Sequence, residues 1–398
     1  MIKKTDYKNF EGGINITKDT ITITNTQDIS YKIILSDHIF STNNKIVYEY
    51  CEGKRLLIFI DKNVYKLYGD IIKNYFQTLF SPKDYFIKVV STSEKKKNLS
   101  TVQMMYKLAR KNKIDRRGIL IGIGGGILTD IVGFAAATYK RSIPYIKINT
   151  TLLGQVDVAV GIKTGVNFYD SKNLIGAFYP PLVAINDRSF LFTIDDREIR
   201  CGLAEIVKMG IICHRYLFDL VEKNYKTIIE KKFTDNQRET FLVLAFSMVK
   251  MVEELYSNLY EHHLERFVDF GHTFSPDIES ESSFKIRHGE AVAIDIVISS
   301  RIAVILGYLP EEDYLRIVNL FVNIGLPIFD NKSCFFENMK KALENTYLHR
   351  GRKLNLVIPK KIGEATFIKE LTEITDDVLI KTLSDLKAFN ENLKKVKK

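Results

Sequence analysis

Two histidines stand in polar turns where they could hold a metal ion. His272 lies in the stretch VDFGHTFSPDIE, and His288 follows sixteen residues later in RHGE. Together with one carboxylate, two imidazoles form the ligand set of a catalytic zinc site that keeps one coordination position open for substrate. A zinc ion held in this way stabilises an alkoxide. The spacing is not a fixed signature, so a purely structural role for either histidine stays open at this point.

A glycine cluster follows an apolar run and precedes a helical pattern. Gly122, Gly124, Gly125 and Gly126 belong to the stretch GIGGGILTDIVG. Glycines at the end of a strand let the backbone approach a pyrophosphate, whose charge is met by free N–H groups at the start of the next helix. We therefore predict a dinucleotide site here. A tight turn without a ligand is the alternative, because the spacing differs from G-x-G-x-x-G.

Further charged residues stand among apolar and turn-forming neighbours. Lys163, Lys172 and Asn173 fall within GIKTGVNFYDSKNLIGAFYPP, and lysines in a cleft favour an anionic, phosphorylated substrate over an exposed basic loop. Glu205 and Lys208 are three residues apart in GLAEIVKMG and share one helix face. Their apolar flanks favour a pair inside a cleft over a solvated ion pair.

The patterning around these motifs predicts the elements that position them. RLLIFIDKNV (55–64) and GILIGIGGG (118–126) are short apolar runs next to helical segments, which predicts a parallel sheet. Residues 14–37 alternate apolar and polar residues and predict a small antiparallel ribbon. Long helical periodicities begin near Thr193. We expect an α/β nucleotide-binding domain with an N-terminal β-ribbon at 1–192, a mostly α-helical domain at 193–398, and a cleft between them.

Composition limits the class of protein. The chain has 398 residues, 45% hydrophobic and 27% charged, as in ordinary globular proteins. The start has no apolar h-region and no apolar stretch approaches the ~20 residues of a membrane span, so we expect a cytoplasmic protein without membrane partners. The net charge of +10 favours anionic ligands. A compositional bias of the genome toward lysine explains the charge equally well. The basic runs lack interleaved aromatics, which argues against nucleic acid. The cysteines lack metal-binding spacing: Cys51, Cys201, Cys213 and Cys334.

Taken in order, the motifs resemble the sugar phosphate cyclase family, which includes 3-dehydroquinate synthase. The resemblance runs from IDKNV to KLNLVIP. It implies NAD and a divalent metal, Zn²⁺ or Co²⁺, in a cleft between an α/β and a helical domain. The implied metal ligands are Glu205, His272 and His288. The implied NAD-contacting residues are Asp61, Asn63, Glu94, Lys97, Gly125, Gly126, Asp130, Thr150, Thr151, Phe190 and Thr193.

The resemblance also implies the substrate end of the site. Asp157, Lys163, Lys172, Asn173 and Lys208 match substrate-binding and catalytic positions. Arg141 matches an arginine that reaches the phosphate in the neighbouring subunit, which implies a homodimer.

Two departures bear on the substrate. Dehydroquinate synthases read NFGHTFGH where this chain reads DFGHTFSP, so Asp269 replaces an asparagine. Glu265 stands in place of a carboxylate-binding arginine, although Arg266 beside it leaves that alignment open. Because two acidic residues would repel a substrate carboxylate, we expect a sugar phosphate without one.

The stretch EELYSNLYEHHLERFVDFGHTFSP resembles the branch of 2-epi-5-epi-valiolone synthases. Leu255, Asp269 and His349 match positions that separate this branch from the desmethyl-4-deoxygadusol branch. The implied activity is that of a carbon–oxygen lyase acting on sedoheptulose 7-phosphate, through transient NAD-dependent oxidation, phosphate elimination, re-reduction and intramolecular aldol addition. The alternatives are a 3-dehydroquinate synthase, a 2-epi-valiolone synthase, a metal-dependent polyol dehydrogenase and a non-catalytic binding protein.

Overall fold

The structure is a computed structural model that describes residues 14–16, 21–23, 28–169, 171–235 and 237–396. A first unit, Met1–Tyr31, contains two short antiparallel strands, β1 (Ile14–Ile16) and β2 (Ile21–Ile23). The predicted ribbon at 14–37 is therefore correct in its first part only. Lys32–Ser36 belongs to the second unit, Lys32–Lys398, where it pairs in parallel with Val183–Asp187.

A six-stranded parallel sheet forms the α/β part of the second unit. Its strands in spatial order are β3 (Lys32–Ser36), β10 (Val183–Asp187), β7 (Tyr145–Asn149), β6 (Ile119–Gly124), β4 (Leu56–Asp61) and β5 (Tyr85–Val90). β4 and β6 are buried along their whole length. Such continuous burial explains why both read as unbroken apolar runs, since helices cover the two faces of a parallel sheet.

Four helices belong to this part: α1 (Ile46–Cys51), α2 (Lys62–Leu79), α3 (Leu99–Lys111) and α4 (Gly126–Thr138). Ile58 and Ile60 face one side of the sheet with α2, whereas Leu57 and Phe59 face the other side with α3 and α4. From β4 the chain passes to β5 on one side and then returns to β6 on the other. Ligands of open α/β sheets bind at this kind of switch point, outside the carboxyl ends of the strands.

A β-hairpin stands between β7 and β10. Its strands are β8 (Lys163–Phe168) and β9 (Ser171–Phe178), and they pair antiparallel. Gly165 lies opposite Gly176, and a Cβ on Gly165 would lie 2.9 Å from the carbonyl oxygen of Ile175. The glycines thus allow the two strands of the hairpin to approach closely, and the hairpin carries three of the predicted substrate residues.

The rest of the chain is mostly helical, as predicted. Its elements are α5 (Asp196–Cys213), α6 (Arg215–Lys231), α7 (Arg238–Tyr256), α8 (Ser275–Glu281), α9 (His288–Ile305), α10 (Glu311–Ile324), α11 (Phe336–His349), β11 (Leu356–Lys361), β12 (Glu364–Ile368) and α12 (Asp376–Val396). α5 and α9 are buried over most of their length and form the centre of one large apolar core. The hairpin β11–β12 was not predicted.

The α/β and mostly helical architecture is thus confirmed. The predicted boundary at residue 193 falls in the short segment before α5, and it stays a prediction because Lys32–Lys398 packs as one unit. Within the described residues, no helix is both long and apolar enough to cross a membrane.

Candidate active site

A cavity of about 1190 Å³ opens at the carboxyl ends of β4 and β6 and extends to α5 and α9. All eleven residues predicted to contact NAD line it, together with six of the eight predicted catalytic residues. Its size is ample for a dinucleotide and a small substrate. Residues from distant parts of the sequence therefore meet in one cleft.

The nucleotide end is built where β4 and β6 stop. Asp61 ends β4 and caps α2, because its carboxylate accepts hydrogen bonds from the backbone N–H groups of Asn63 at 2.7 Å and Val64 at 3.4 Å. Its other oxygen accepts a hydrogen bond from the hydroxyl of Thr92. Gly125 precedes α4, and a Cβ there would lie 3.2 Å from the side chain of Thr151. The glycine leaves the N-terminus of α4 open to the cavity, as a phosphate site requires.

Only part of the glycine cluster forms this turn. Gly122 and Gly124 lie within β6 itself. A Cβ on Gly122 would lie 3.3 Å from Val132 of α4, so this glycine serves the packing of the helix on the strand. The prediction that all four glycines follow the strand was wrong, because periodicity cannot separate the last strand residues from the turn.

Charged side chains tie the nucleotide end to the β8–β9 hairpin. The ammonium of Lys97 is buried and lies 2.7 Å from a carboxylate oxygen of Asp130 on α4. The side-chain amide of Asn167 on β8 donates a hydrogen bond to the carboxylate of Glu94 at 2.8 Å. These contacts hold the segment before α3 at the mouth of the cleft.

Three elements bring the predicted metal ligands together. Glu205 lies in α5, His288 begins α9, and His272 lies in the turn before α8. A Cβ on Gly289 would lie 2.2 Å from the carbonyl oxygen of Cys201, so α5 and α9 cross with no room for a larger residue. This close crossing places His288 against Glu205.

The geometry of this triad fits a divalent cation. One ligand atom from each of the three residues can be chosen so that all three atoms lie within 4.8 Å of one another. Nε2 of His288 lies 3.3 Å from Oε1 of Glu205, and Nε2 of His272 lies 3.7 Å from the same oxygen. Oε1 of the buried Glu205 has no hydrogen-bond partner among the described residues, whereas Oε2 is paired with the ammonium of Lys208. Nδ1–H of His272 donates to the carbonyl of Phe270 at 3.0 Å, which turns Nε2 toward the carboxylate. Two imidazoles and one carboxylate are zinc ligands.

Opposing effects set the protonation of these ligands. Burial raises the pKa of Glu205, but Lys208 and the two imidazoles outweigh burial and hold that pKa below its usual value. Burial and Lys208 lower the pKa of His272 to about 4. Burial also lowers the pKa of His288, but Glu205 and Glu279 raise it to about 10, so a metal must displace a proton there.

A buried lysine stands beside the metal ligands. Lys208 Nζ lies 2.5 Å from Oε2 of Glu205, and both side chains are almost fully buried, which confirms the predicted pair within a cleft. Burial lowers the pKa of Lys208, but Glu205 and Asp157 outweigh burial and raise it. Burial and Glu205 raise the pKa of Asp157, which lines the same cavity. Lys208 therefore stays cationic beside the three residues that could hold a metal.

One carboxylate at this site was missed in the sequence. Glu279 of α8 is 5% exposed and accepts a hydrogen bond from Nδ1 of His288 at 3.0 Å. Its other oxygen pairs with Lys172 at 2.5 Å. Burial raises the pKa of Glu279, but His288 and Lys172 outweigh burial and lower it to about 2. Its sequence, PDIESE, lies in a helix of seven residues, too short to show which face is buried.

The substrate wall differs from the prediction in one respect. Glu265 is exposed and pairs with Lys369 at 3.3 Å, away from the cleft, so its predicted place beside the substrate was wrong. Arg266 is turned inward instead, and it donates to both oxygens of Asp269 at 2.6 and 2.8 Å. Glu261 pairs with Arg266 from the other side.

Further contacts complete this wall. Lys163 Nζ lies 2.6 Å from Glu261, and Arg350 lies 3.5 Å from Asp269. Burial raises the pKa of Asp269, but Arg266 and Arg350 outweigh burial and lower it, so Asp269 is a carboxylate. Each cationic group in this cluster faces a carboxylate.

Two predicted residues lie outside the cavity lining. His349 is exposed at the end of α11, and its neighbour Arg350 reaches Asp269 instead. Arg141 is exposed in a segment where Lys140, Arg141 and Ser142 all have positive φ. The roles of His349 and Arg141 stay predictions. Leu255, expected to distinguish the branch, lines the cavity.

Comparisons with known proteins agree with this architecture. Residues 87–201 match the family described as 3-dehydroquinate synthase N-terminal, and residues 202–346 match 3-dehydroquinate synthase C-terminal. The two matches meet inside α5, and together they span more than half of the chain.

Similar relatives include 2-epi-5-epi-valiolone synthases, a demethyl-4-deoxygadusol synthase and 3-dehydroquinate synthases. The chain is 42% identical over 356 residues to a 2-epi-5-epi-valiolone synthase of Streptomyces glaucescens, covering 89% of this chain and 91% of the relative. It is 33% identical to a 3-dehydroquinate synthase of Thermoanaerobacter sp., covering 92% and 99%. A 2-epi-5-epi-valiolone synthase of Streptomyces hygroscopicus, solved with NAD⁺ and Zn²⁺ bound, superposes with a TM-score of 0.87 at 34% identity, covering 92% and 99%.

Proposed function

The chain belongs to the 3-dehydroquinate synthase family, and we propose that it is a sugar phosphate cyclase that converts sedoheptulose 7-phosphate to 2-epi-5-epi-valiolone with release of phosphate. In this proposal the enzyme is a carbon–oxygen lyase. The proposal rests on one observation at the substrate wall and on the names of the relatives.

The observation that carries the proposal is the pairing of Arg266. Its guanidinium pairs through one terminal nitrogen with Glu261 and through the other with Asp269, so carboxylates already occupy both terminal nitrogens. A substrate carboxylate at this wall would have to displace one of them and would then meet a buried negative charge, which is costly in a dry cleft. A hydroxymethyl group can donate a hydrogen bond to Asp269. The wall therefore suits a sugar phosphate without a carboxylate.

The relatives support the same choice within the family. Identity is higher to the 2-epi-5-epi-valiolone synthase of Streptomyces glaucescens, at 42%, than to the 3-dehydroquinate synthase of Thermoanaerobacter sp., at 33%. The solved relative with NAD⁺ and Zn²⁺ bound shares the whole fold. We propose NAD⁺ and a divalent metal, Zn²⁺ or Co²⁺, as the cofactors of this chain.

The residues present fit both cofactors. Glu205, His272 and His288 would hold the metal, and Asp61, Gly125 and the N-terminus of α4 would hold the dinucleotide. When bound, the metal supplies a Lewis acid toward vicinal hydroxyls and NAD⁺ supplies a reversible hydride acceptor.

The protein side chains divide the remaining work. Lys163, Lys172 and Asn173 line the cleft on the β8–β9 hairpin and would hold the phosphate through its departure. Lys208 is buried and cationic, so it would donate a hydrogen bond to a hydroxyl oxygen and stabilise negative charge that develops there. Asp157 lies near Lys208 with a raised pKa and would exchange a proton with a nearby hydroxyl.

The family resemblance extends the proposal to assembly. We propose that the protein is a cytoplasmic homodimer in which Arg141 contacts the phosphate held by the partner. Three successive residues with positive φ, Lys140, Arg141 and Ser142, give this exposed segment a sharp and unusual course. Backbone strain of this kind is found where a side chain must be presented for function.

The test is turnover of sedoheptulose 7-phosphate by the purified protein with NAD⁺ and Zn²⁺ or Co²⁺. Phosphate release is measured continuously, NADH is followed by absorbance, and the product is identified by NMR. We expect one phosphate per cyclitol and no net NADH. Turnover of the seven-carbon keto acid phosphate instead would assign a 3-dehydroquinate synthase, and net NADH would assign a polyol dehydrogenase.

A further inference from the structure

Glu279 joins two groups that the proposed reaction uses separately. Its Oε1 accepts a hydrogen bond from Nδ1 of His288 at 3.0 Å, and its Oε2 pairs with Nζ of Lys172 at 2.5 Å. The carboxylate is 5% exposed, so water competes little for either oxygen. A single buried carboxylate therefore connects a metal-ligating imidazole to a lysine expected to hold phosphate.

The two partners of Glu279 come from different parts of the fold. His288 begins α9, whereas Lys172 lies on β9 of the hairpin that follows the α/β strands. The side chain of Lys172 is 28% exposed, and its ammonium lies 5.0 Å from the centre of the Phe284 ring. Lys172 is thus held in place yet remains accessible from the cavity that it lines.

Metal-ligating histidines are tuned by what their second nitrogen contacts. A carboxylate that accepts the Nδ1–H fixes the tautomer, orients the ring and makes Nε2 a stronger ligand. An ammonium that shares the same carboxylate withdraws charge from it and weakens this effect. The strength of the His288 ligand therefore depends on whether Lys172 pairs with Glu279 or with something else.

We propose that Glu279 is a positioning residue that couples occupancy of the phosphate position to the affinity of the metal site. In the free enzyme Lys172 is paired with Glu279. A phosphate in the cleft competes for Lys172, which leaves more of the charge of Glu279 to His288. Phosphate binding therefore tightens the metal, and by reciprocity the metal tightens phosphate.

This inference rests on the proposed function for the identity of the phosphate position, but its test does not require turnover. The dissociation constant for Zn²⁺ is measured on the full chain at one fixed pH by competition with a chromogenic chelator. Each titration is run without and with inorganic phosphate. The variants are Glu279→Gln, Glu279→Asp and Lys172→Met, with Glu281→Gln as the matched control, because Glu281 is an exposed glutamate on the same helix.

We expect Glu279→Gln to raise the Zn²⁺ dissociation constant by about 10- to 100-fold, the usual effect of losing such a partner. Phosphate should tighten Zn²⁺ in the wild-type protein and in Glu281→Gln but have no effect in Glu279→Gln. Lys172→Met should keep wild-type or tighter Zn²⁺ binding and lose the phosphate effect. Glu279→Asp, which keeps the charge, should regain part of the affinity.

Wild-type Zn²⁺ affinity in Glu279→Gln, or a phosphate effect that persists in that variant, would overturn the coupling. If Glu279→Gln proves unfolded by circular dichroism, Glu279→Asp and Lys172→Met decide the question, since neither removes the charge from the carboxylate. Failure of the wild-type protein to cyclise sedoheptulose 7-phosphate would refute the proposed function and leave the coupling intact.

Discussion

Replacing Asp269 with asparagine should change the choice of substrate. The side chain keeps its size but loses the charge that faces Arg266 and Arg350. Among the described residues, Arg266 then keeps only Glu261, which is also paired with Lys163. Arg350 keeps its hydrogen bonds to the carbonyls of Leu354 and Asn355. The wall gains one unit of positive charge, and the hydroxymethyl group of the substrate loses a charged acceptor.

The magnitude follows from the contacts that are lost. Asp269 accepts three hydrogen bonds from Arg266, at 2.6, 2.8 and 3.1 Å. Breaking a buried ion pair costs about 3–5 kcal/mol when the partner is left bare. Because Glu261 still faces Arg266, we expect the unfolding free energy to fall by only about 1–3 kcal/mol. Losing a charged hydrogen bond to the substrate should lower kcat/KM for sedoheptulose 7-phosphate about 10- to 100-fold.

The assay compares kcat/KM for sedoheptulose 7-phosphate and for the seven-carbon keto acid phosphate, through phosphate release. The wild-type protein should be nearly inert toward the keto acid. Asp269→Asn should lower the ratio of kcat/KM for sedoheptulose 7-phosphate to kcat/KM for the keto acid by at least tenfold. Glu265→Gln is the matched control, since Glu265 pairs with Lys369 outside the cleft and should change neither value. An unchanged ratio in Asp269→Asn, with NAD and metal still bound, would refute this account of the wall.

Two other changes test the metal site and a buried lysine. His272→Ala should reduce bound Zn²⁺ to below about a tenth of stoichiometry, because only two of the three protein ligands remain. The circular dichroism spectrum should stay unchanged. Full stoichiometry by metal analysis would disprove the ligand assignment. Burial lowers the pKa of Lys147 to about 8, below its ordinary value of 10.5 in the unfolded chain, so the unfolded chain binds more protons between these pH values. The unfolding free energy of the wild-type protein minus that of Lys147→Met should therefore rise with pH across that window, by up to about 3 kcal/mol. Urea titrations at several pH values measure this difference. A fall with pH would contradict the lowered pKa of Lys147.

The sequence predicted the fold best at positions where the backbone geometry or the burial of an element requires one type of residue. The apolar runs at 55–64 and 118–126 gave buried parallel strands, because only a strand covered on both faces is apolar at every position. Gly125 and the start of α4 followed from the same pattern. The metal triad combines motifs more than eighty residues apart, so only the resemblance to a family connected Glu205 with His288 before the fold was known.

The errors arose where the chain has no periodicity. Between α7 and α8 the direction of each side chain depends on single turns, and Arg266 faces inward where Glu265 was expected. At the end of α11, Arg350 reaches Asp269, and the role of its neighbour His349 stays a prediction. Glu279 was missed because its partners, His288 and Lys172, come from elements that meet only in the folded protein.

The most direct test of the account is a single reaction followed by two signals. The purified protein is mixed with sedoheptulose 7-phosphate, NAD⁺ and Zn²⁺, and phosphate and NADH are measured together while NMR identifies the carbon product. We expect one phosphate for each 2-epi-5-epi-valiolone formed, with no net NADH. Absence of phosphate release, or NADH accumulating in proportion to substrate consumed, would contradict it.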